Sequence, residues 1–240
     1  VWHGKSCLPP ENTRCLVSLS RGGKDAEVVR EWDAAKRQFV AGGFNLPEAK
    51  TQVSWLDADT LLVGTNFGED SMTDSGYARL TKIWKRGTPL SDAQLLFEGR
   101  KQDVWVHPSV SHRPEGRVAL ISRGRNFFES DLYWYKTDGT LALLPTTEHF
   151  ELDGVFQGQV IGSLKRDVQI LGTPFKAGSV ISFDLTQWKV EKIYEPDAQS
   201  GFASVAITKN RVLITTLHNV RNILFEARLN PASGWALSKL

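Results

Sequence analysis

The 240-residue sequence predicts an all-β fold, and three observations support this prediction. Short apolar runs bounded by turn residues recur along the chain, as in residues 60–65 and 117–122. A run rich in aromatic and β-branched residues follows each of them, as in 80–84 and 131–135. The one helix-like stretch, near residues 34–37, is short and lacks a capping residue, so it does not predict a helix.

The spacing of the first apolar runs predicts a repeat. The runs begin at intervals of 46, 57, 42 and 52 residues, counted from these positions: Cys15, Leu61, Val118, Val160 and Val212. A four-stranded blade of a β-propeller has about this period. We therefore expect one β-propeller domain over residues 1–240, with about five blades near 1–46, 47–99, 100–148, 149–197 and 198–240. A two-sheet sandwich is the alternative architecture.

Three tryptophans lie in the second run of their units. A four-stranded unit cannot bury both of its faces alone, so neighbouring units must stack. We expect Trp32, Trp84 and Trp134 to fill these interfaces, because large aromatic side chains contribute much buried area.

The composition excludes several classes of protein. Hydrophobic residues make up 41% and charged residues 23%, which is ordinary for a folded globular chain. A net charge of +2 is too small to indicate a nucleic-acid or membrane surface. The start at Val1 has neither an initiator methionine nor a signal-peptide pattern, so we expect a piece of a longer protein. The compartment, cytoplasmic or periplasmic, stays open.

The two cysteines lie eight residues apart across a proline-rich turn. A hairpin at Pro9, Pro10 and Asn12 would bring Cys7 beside Cys15, where a disulfide would fit. Two reduced thiols agree equally well with the sequence. A zinc site is not expected, since its other ligands would have to come from scattered histidines.

The motifs of common catalytic sites are missing from the sequence. No serine stands in a Gly-x-Ser-x-Gly setting, and the glycine-rich segment 20–24 is better explained as a turn between strands. The spacing of His107 and His112 matches no metal motif. Three acidic residues of the polar segment 66–79 do not match a calcium loop either and predict a solvated loop: Glu69, Asp70 and Asp74. We therefore expect no catalytic residue, no cofactor and no metal in this chain.

Several stretches, in order along nearly the whole chain, resemble the non-catalytic propeller of prolyl-oligopeptidase-type serine peptidases. The closest are 15–31, 46–57, 60–65 with 75–77, 84–90 (Trp-Lys-Arg-Gly-Thr-Pro-Leu) and 217–222. The resemblance implies a seven-bladed propeller that caps the Ser-Asp-His site of an α/β-hydrolase domain and admits short peptides, which are cut after proline. This chain would hold about five of those blades and none of the hydrolase domain, so no triad residue is carried over.

The resemblance also points to one substrate-binding position. The family's propeller lends an aromatic side chain to a substrate subsite from the second-type strand of the first unit here. An ungapped alignment puts Glu31 at that position, beside Trp32. A glutamate departs from the family pattern, which leaves the character of the subsite open, and we expect Trp32 to be a core residue instead.

The expected function is therefore non-catalytic. The segment would gate the access of short proline-containing peptides to a hydrolase domain of the same parent chain, a serine-type prolyl oligopeptidase. Nucleic acids and membranes are not expected partners. With about five of seven blades present, we expect either a smaller ring that closes again or association of copies of the chain through open blade edges. The alternative is a stand-alone propeller that serves as a scaffold for protein interactions.

Overall fold

The computed structural model describes residues 1–230 and 232–240, and almost all of its regular structure is β-strand. Among these residues there is no α-helix, and one 3-10 turn covers Leu90–Asp92. The all-β prediction is confirmed. Residues 34–37 form the turn between two strands. No helix of the described chain has the length and apolar character that crossing a membrane requires.

Five antiparallel sheets follow one another along the chain. Their strands, sheet by sheet, are as follows. Sheet 1 has β1 (Trp2–Cys7), β2 (Arg14–Ser20), β3 (Glu27–Asp33), β4 (Gln38–Phe39) and β5 (Asn45–Ala49). Sheet 2 has β6 (Gln52–Asp57), β7 (Thr60–Gly64), β8 (Leu80–Lys85) and β9 (Gln94–Glu98). Sheet 3 has β10 (Trp105–Arg113), β11 (Gly116–Gly124), β12 (Ser130–Tyr135) and β13 (Leu141–Leu143).

Sheet 4 has β14 (Phe150–Phe156), β15 (Gln159–Leu164), β18 (Val180–Asp184) and β19 (Lys189–Tyr194). A separate two-stranded hairpin, β16 (Val168–Ile170) and β17 (Thr173–Phe175), is inserted between β15 and β18. Sheet 5 has β20 (Ser200–Ile207), β21 (Val212–His218), β22 (Arg221–Asn230) and β23 (Gly234–Lys239).

Each sheet is a meander in which consecutive strands pair, as expected for a propeller blade. In sheet 1 the fourth position is divided, because both β4 and β5 pair with β3. The register between the first and second strands shifts in sheets 1, 2, 4 and 5, which marks a bulge in each.

Short polar residues stabilise the turns between strands. Asp138 Oδ1 accepts a hydrogen bond from the Thr140 amide at 2.9 Å, and Gly139 between them has φ 86°. Asp184 Oδ1 accepts one from the Thr186 amide at 2.8 Å after β18. Such side chains replace the strand hydrogen bonds that a turn interrupts.

The chain forms two compact units, residues 1–112 with 119–143, and residues 113–118 with 144–240. In the first unit, sheets 1 and 2 share a buried cluster that includes Leu16, Leu46 and Leu61. Phe44 packs edge-to-face against Trp55 at 5.8 Å and Trp84 at 4.9 Å between ring centroids.

In the second unit, sheets 4 and 5 share a buried cluster that includes Phe156, Ile161, Val212 and Ile214. Trp235 packs on Phe156 from the last strand, and its Nε1 donates a hydrogen bond to Ser182 Oγ at 2.8 Å. The polar edge of the indole is thereby satisfied inside an apolar contact.

The expectation for the tryptophans is right for Trp84 and wrong for Trp32, and for Trp134 it stays a prediction. Trp84 is buried in the cluster between sheets 1 and 2. Trp32 and Trp134 are only half-buried. Trp32 packs edge-to-face against Phe39 of its own sheet, and Lys136 lies over Trp134. Trp55, on a first strand, is the second buried tryptophan of this cluster.

Candidate functional site

Glu31, the position that the resemblance gave for substrate binding, lies in β3 with an exposure of 1%. Its Oε2 accepts hydrogen bonds from Arg86 at 2.8 Å and from the Phe44 amide at 2.9 Å. Its Oε1 accepts a second bond from Arg86 at 3.0 Å, and Arg14 lies 3.9 Å away. Every oxygen of the carboxylate therefore has a donor within the first unit.

Arg86 follows β8 and joins this carboxylate to the second sheet. Its guanidinium also donates to Asp59 Oδ1 at 2.9 Å and to the Ala58 carbonyl at 2.8 Å, and it lies over the ring of Phe44. Burial alone would lower the pKa of Arg86, but its hydrogen bonds to Glu31 and Asp59 raise that pKa above the usual value. The pair is a bidentate ion pair, the strongest common form of such contact.

This geometry gives Glu31 a structural role that the sequence did not suggest. A buried carboxylate whose oxygens already accept bonds from Arg86 and Phe44 has little capacity left for a peptide. The substrate-contact role of Glu31 stays a prediction. The closely packed Gly43 supports the structural role, because a Cβ there would lie 2.8 Å from Glu31 Oε2.

A second buried ion pair lies at the turn end of the β11–β12 hairpin, where Arg123 is paired with Asp131 in the strand register. Arg123 donates from Nε to Asp103 Oδ2 at 2.7 Å and from a terminal nitrogen to Oδ1 at 2.9 Å. The Arg100 amide donates to the same carboxylate at 2.5 Å. Burial opposes the charge of Asp103, but these bonds outweigh it and hold the pKa of Asp103 below its usual value. The pair ties the end of β11 to the segment that precedes β10.

One serine, one histidine and one aspartate come together in sheet 5, and their arrangement is not that of a nucleophile. Ser200 lies opposite His218 in the strand register. Ser200 Oγ donates to Asp197 Oδ1 at 2.7 Å and accepts bonds from the Asp197 amide at 2.9 Å and from Tyr194 at 3.2 Å. The Ser200 bond lowers the pKa of Asp197, which makes that carboxylate a weaker base. The serine closes a turn instead of facing a general base.

The other candidate ligands are separated from one another. Asp70 pairs with Lys101, and His112 Nε2 lies 2.8 Å from the Trp55 carbonyl oxygen. His107 lies beside the ring of Trp105. The part of the chain that the structure describes holds no group of three or more His, Cys, Asp or Glu side chains that could bind a metal.

Cys7 and Cys15 face each other across β1 and β2 and are joined as a disulfide. Cys15 is 3% exposed, so the bridge ties the first strand to a buried one. The proline-rich turn 8–13 connects the two strands.

Sequence reasoning did not identify Asp153, which has an unusual environment. It is the extra residue of the bulge between Leu152 and Gly154 in β14, and its Oδ2 is buried without a hydrogen-bond partner. Burial, with the nearby charge of Glu151, raises the pKa of Asp153 to about 6. No sequence motif marks a bulge, so this position could not be found from the pattern.

Comparison with known proteins gives the family of this fold. The sequence model of the family described as "Prolyl oligopeptidase, N-terminal beta-propeller domain" matches residues 2–234. The chain belongs to this propeller family. The resemblance drawn from the sequence and the β-propeller prediction are therefore both confirmed.

The relatives of this propeller include proteins named as peptidases. An uncharacterized peptidase, y4nA, of Sinorhizobium fredii (strain NBRC 101917 / NGR234) is 38% identical over 255 residues, which cover 100% of this chain and 35% of the relative. An uncharacterized peptidase, RP174, of Rickettsia prowazekii (strain Madrid E) is 30% identical over 241 residues, which cover 92% of this chain and 33% of the relative. This propeller segment thus spans about a third of the length of the curated relatives it matches.

A solved structure has the same fold. The post-proline cleaving enzyme from Rickettsia typhi matches with a TM-score of 0.90 and 27% identity, over 100% of this chain and 38% of that one. The match therefore extends over every sheet of the propeller segment described above.

Proposed function

We propose that this chain gates the active site of a prolyl-oligopeptidase-type serine peptidase whose catalytic residues lie in an α/β-hydrolase part of the same parent protein. The observation that carries the proposal is the family match over residues 2–234, together with peptidase relatives about three times as long. The propeller would therefore act together with a peptidase part of the same parent protein.

The chemistry of the described residues supports a non-catalytic role. Acyl transfer needs a nucleophile, a base that takes its proton, and donors for the oxyanion. Ser200 donates its proton to a carboxylate of lowered pKa, and Glu31 and Asp103 are each bound by an arginine. None of these groups is free to act as the base for a serine.

The substrates that we propose are short proline-containing peptides. The solved relative from Rickettsia typhi is a post-proline cleaving enzyme. A propeller that covers a peptidase site would admit a flexible peptide and exclude a folded protein by size. It would also keep bulk water from the site until the two parts of the enzyme separate.

Contacts between domains of one chain are usually weak enough to open during turnover. We therefore infer that opening between the propeller and the peptidase part admits the substrate. The scaffold alternative has no observation in its favour within this family. Association of copies through open sheet edges stays a prediction.

The test uses the full-length parent and two substrates with the same Gly-Pro sequence. One is a short chromogenic peptide, and the other carries the sequence in an exposed loop of a folded carrier protein. We expect kcat/KM for the carrier to be at least about 100-fold lower, because size exclusion acts before the chemical step. A serine-directed fluorophosphonate should abolish both reactions. Subtilisin, which has an open site, is the control that shows the carrier loop to be cleavable.

A locked variant tests the opening step. One cysteine in this chain and one in the peptidase part are placed so that oxidation joins the two. Oxidation should sharply reduce cleavage of the short peptide, and reduction should restore it. Equal activity of the locked and reduced forms, or a parent that cleaves the carrier as fast as the peptide, would show that the propeller does not gate the site.

A further inference from the structure

A groove lies between β19 of sheet 4 and one face of sheet 5, within the second compact unit. Its volume is about 510 Å³, which is in the usual range of ligand sites in proteins. We name it the β19 groove, and its lining includes Lys192, Tyr194, Asp197, Thr216, Phe225 and Lys239.

The floor of the β19 groove is apolar and aromatic. Thr216 lies opposite Ile223 in the register of β21 and β22, and Phe225 is two residues further along β22. Strand residues that lie opposite each other, or two residues apart, share one face of the sheet. The ring of Tyr194 packs on that of Phe225 from β19, at 5.6 Å between centroids. The buried Thr216 hydroxyl makes only a long bond of 3.5 Å to the Ile223 carbonyl, so it can bond to a peptide group of a ligand.

One acidic residue of the β19 groove is already neutralised by its neighbours. Lys192 Nζ donates a hydrogen bond to Glu195 Oε2 at 3.1 Å, and Lys176 Nζ lies 3.4 Å from Glu195 Oε1. The bonds from Lys192 and Lys176 lower the pKa of Glu195, so its carboxylate stays ionised beside two ammonium groups. The charges of Glu195 and Lys192 are therefore compensated without a ligand.

Two other charged residues of the groove have no such compensation. Among the residues that the structure describes, neither Asp197 nor Lys239 forms an ion pair. The hydrogen bond from Ser200 Oγ at 2.7 Å and, to a smaller extent, the charge of His218 hold the pKa of Asp197 below its usual value. Asp197 is therefore an anion at neutral pH, and the ammonium of Lys239 is a cation. The groove thus offers one uncompensated charge of each sign.

The strand register separates these two charges. Asp197 is bonded to the residue that lies opposite His218, at one end of sheet 5. Lys239 lies opposite Phe225, which in turn lies opposite Ile214. His218 and Ile214 are four residues apart in β21, so the two charged ends are about 13 Å apart along the strand direction. An extended peptide of about four residues spans this distance.

We propose that the β19 groove binds a short peptide with two free ends, whose ammonium pairs with Asp197, whose carboxylate pairs with Lys239 and whose apolar side chains lie on the floor of the groove. Charge-assisted hydrogen bonds at the ends would fix its orientation, and burial of its apolar side chains would supply affinity. Hydrolysis of a peptide releases one new carboxylate and one new ammonium, so the proposed reaction would supply such ligands. The inference goes beyond the proposed function, because residues of this chain alone line the groove.

The test measures peptide binding by the full-length parent protein after treatment with a serine-directed fluorophosphonate, which blocks a peptidase site. The probe is the tetrapeptide Ala-Phe-Leu-Ala, which has free ends, apolar side chains and no proline. Isothermal titration calorimetry compares it with the same peptide acetylated and amidated at its ends. We expect the capped peptide to bind at least about tenfold more weakly, because it loses both charged contacts.

Two variants assign the contacts. Lys239→Met should make binding insensitive to amidation of the peptide. Asp197→Asn, which keeps an oxygen that can accept the bond from Ser200, should make binding insensitive to acetylation. The control is Lys209→Met, at an exposed lysine of the β20–β21 turn outside the groove, which should change the affinity by less than about twofold.

Equal affinity for the free and the capped tetrapeptide, or no measurable binding of the free one to the native parent, would overturn the proposal. Binding that Lys239→Met and Asp197→Asn leave unchanged would place the peptide elsewhere and would overturn it as well. Hydrolysis of a prolyl peptide by untreated protein separates the two proposals. An active parent that does not bind the tetrapeptide refutes the groove alone, and an inactive parent that binds it refutes the peptidase function alone.

Discussion

Replacing Arg86 by methionine tests whether the buried pair with Glu31 stabilises the first unit. The substitution keeps an unbranched apolar side chain but removes both bonds to the Glu31 carboxylate, which is 1% exposed. Glu31 would then keep the Phe44 amide and the more distant Arg14. Breaking a buried pair by removing one partner leaves an uncompensated charge and costs about 3–5 kcal/mol.

That free energy is measurable by urea unfolding. The fluorescence of Trp55 and Trp84, which lie in the same cluster as Phe44, follows the unfolding of this region. For a chain of this length, a loss of about 3–5 kcal/mol corresponds to a decrease in Tm of about 6–20 °C. The matched control is Arg21→Met, which removes the exposed Arg21–Glu48 pair at 3.6 Å and should change stability by less than about 0.5 kcal/mol.

A double-mutant cycle tests the physical reason. The variant with both Glu31→Gln and Arg86→Met contains no unpaired buried charge. It should therefore lose less stability than the sum of the two single variants, by at least about 1.5 kcal/mol. A loss below about 1 kcal/mol for Arg86→Met, or strict additivity of the two changes, would refute the argument that desolvated charge makes this pair important.

Two further predictions concern Asp153 and the disulfide. Because the pKa of Asp153 is raised to about 6, the folded state binds this proton more tightly than the unfolded state, so the associated stability is present below about pH 4 and is lost as the pH rises through 6. Asp153→Asn should therefore be more stable than the parent sequence at pH 8, by about 1–2 kcal/mol after allowance for partial solvation. Urea unfolding should show that this difference in stability becomes smaller towards pH 4. An equal difference at both pH values would contradict the prediction. The intact mass of the unreduced protein should show no alkylation of Cys7 and Cys15. The free energy of unfolding of the Cys7→Ala/Cys15→Ala variant should be lower by about 2–3 kcal/mol, since the bridge closes a loop with a separation of 8 residues. Two freely alkylated thiols after oxidation would contradict this prediction.

The sequence by itself determined the features that depend on neighbouring residues. Short apolar runs and the turn residues that bound them are local features, so they predicted the strands, and the spacing of the runs predicted the repeat of four-stranded units. The ordered likeness along the chain predicted the propeller family, which the match over residues 2–234 confirmed.

Only the tertiary structure decided which side chains meet. Glu31 and Arg86 are 55 residues apart, and Trp55 replaces Trp32 in the buried cluster because the packing of sheets 1 and 2 selects one face of each strand. The bulge at Asp153 changes which way that carboxylate points, and no residue type marks it in advance.

Two glycines show directly that the sequence alone does not reveal how closely a residue is packed. A Cβ at Gly162 would lie 2.1 Å from the ring of Phe150, whereas one at Gly201 would meet nothing within 4 Å, although the sequence gives both as glycines in strands. The strand pattern follows from the spacing of apolar residues along the chain. Burial, pairing of charges and close approach arise only when strands far apart in sequence are packed against each other, and the sequence pattern contains no measure of that distance.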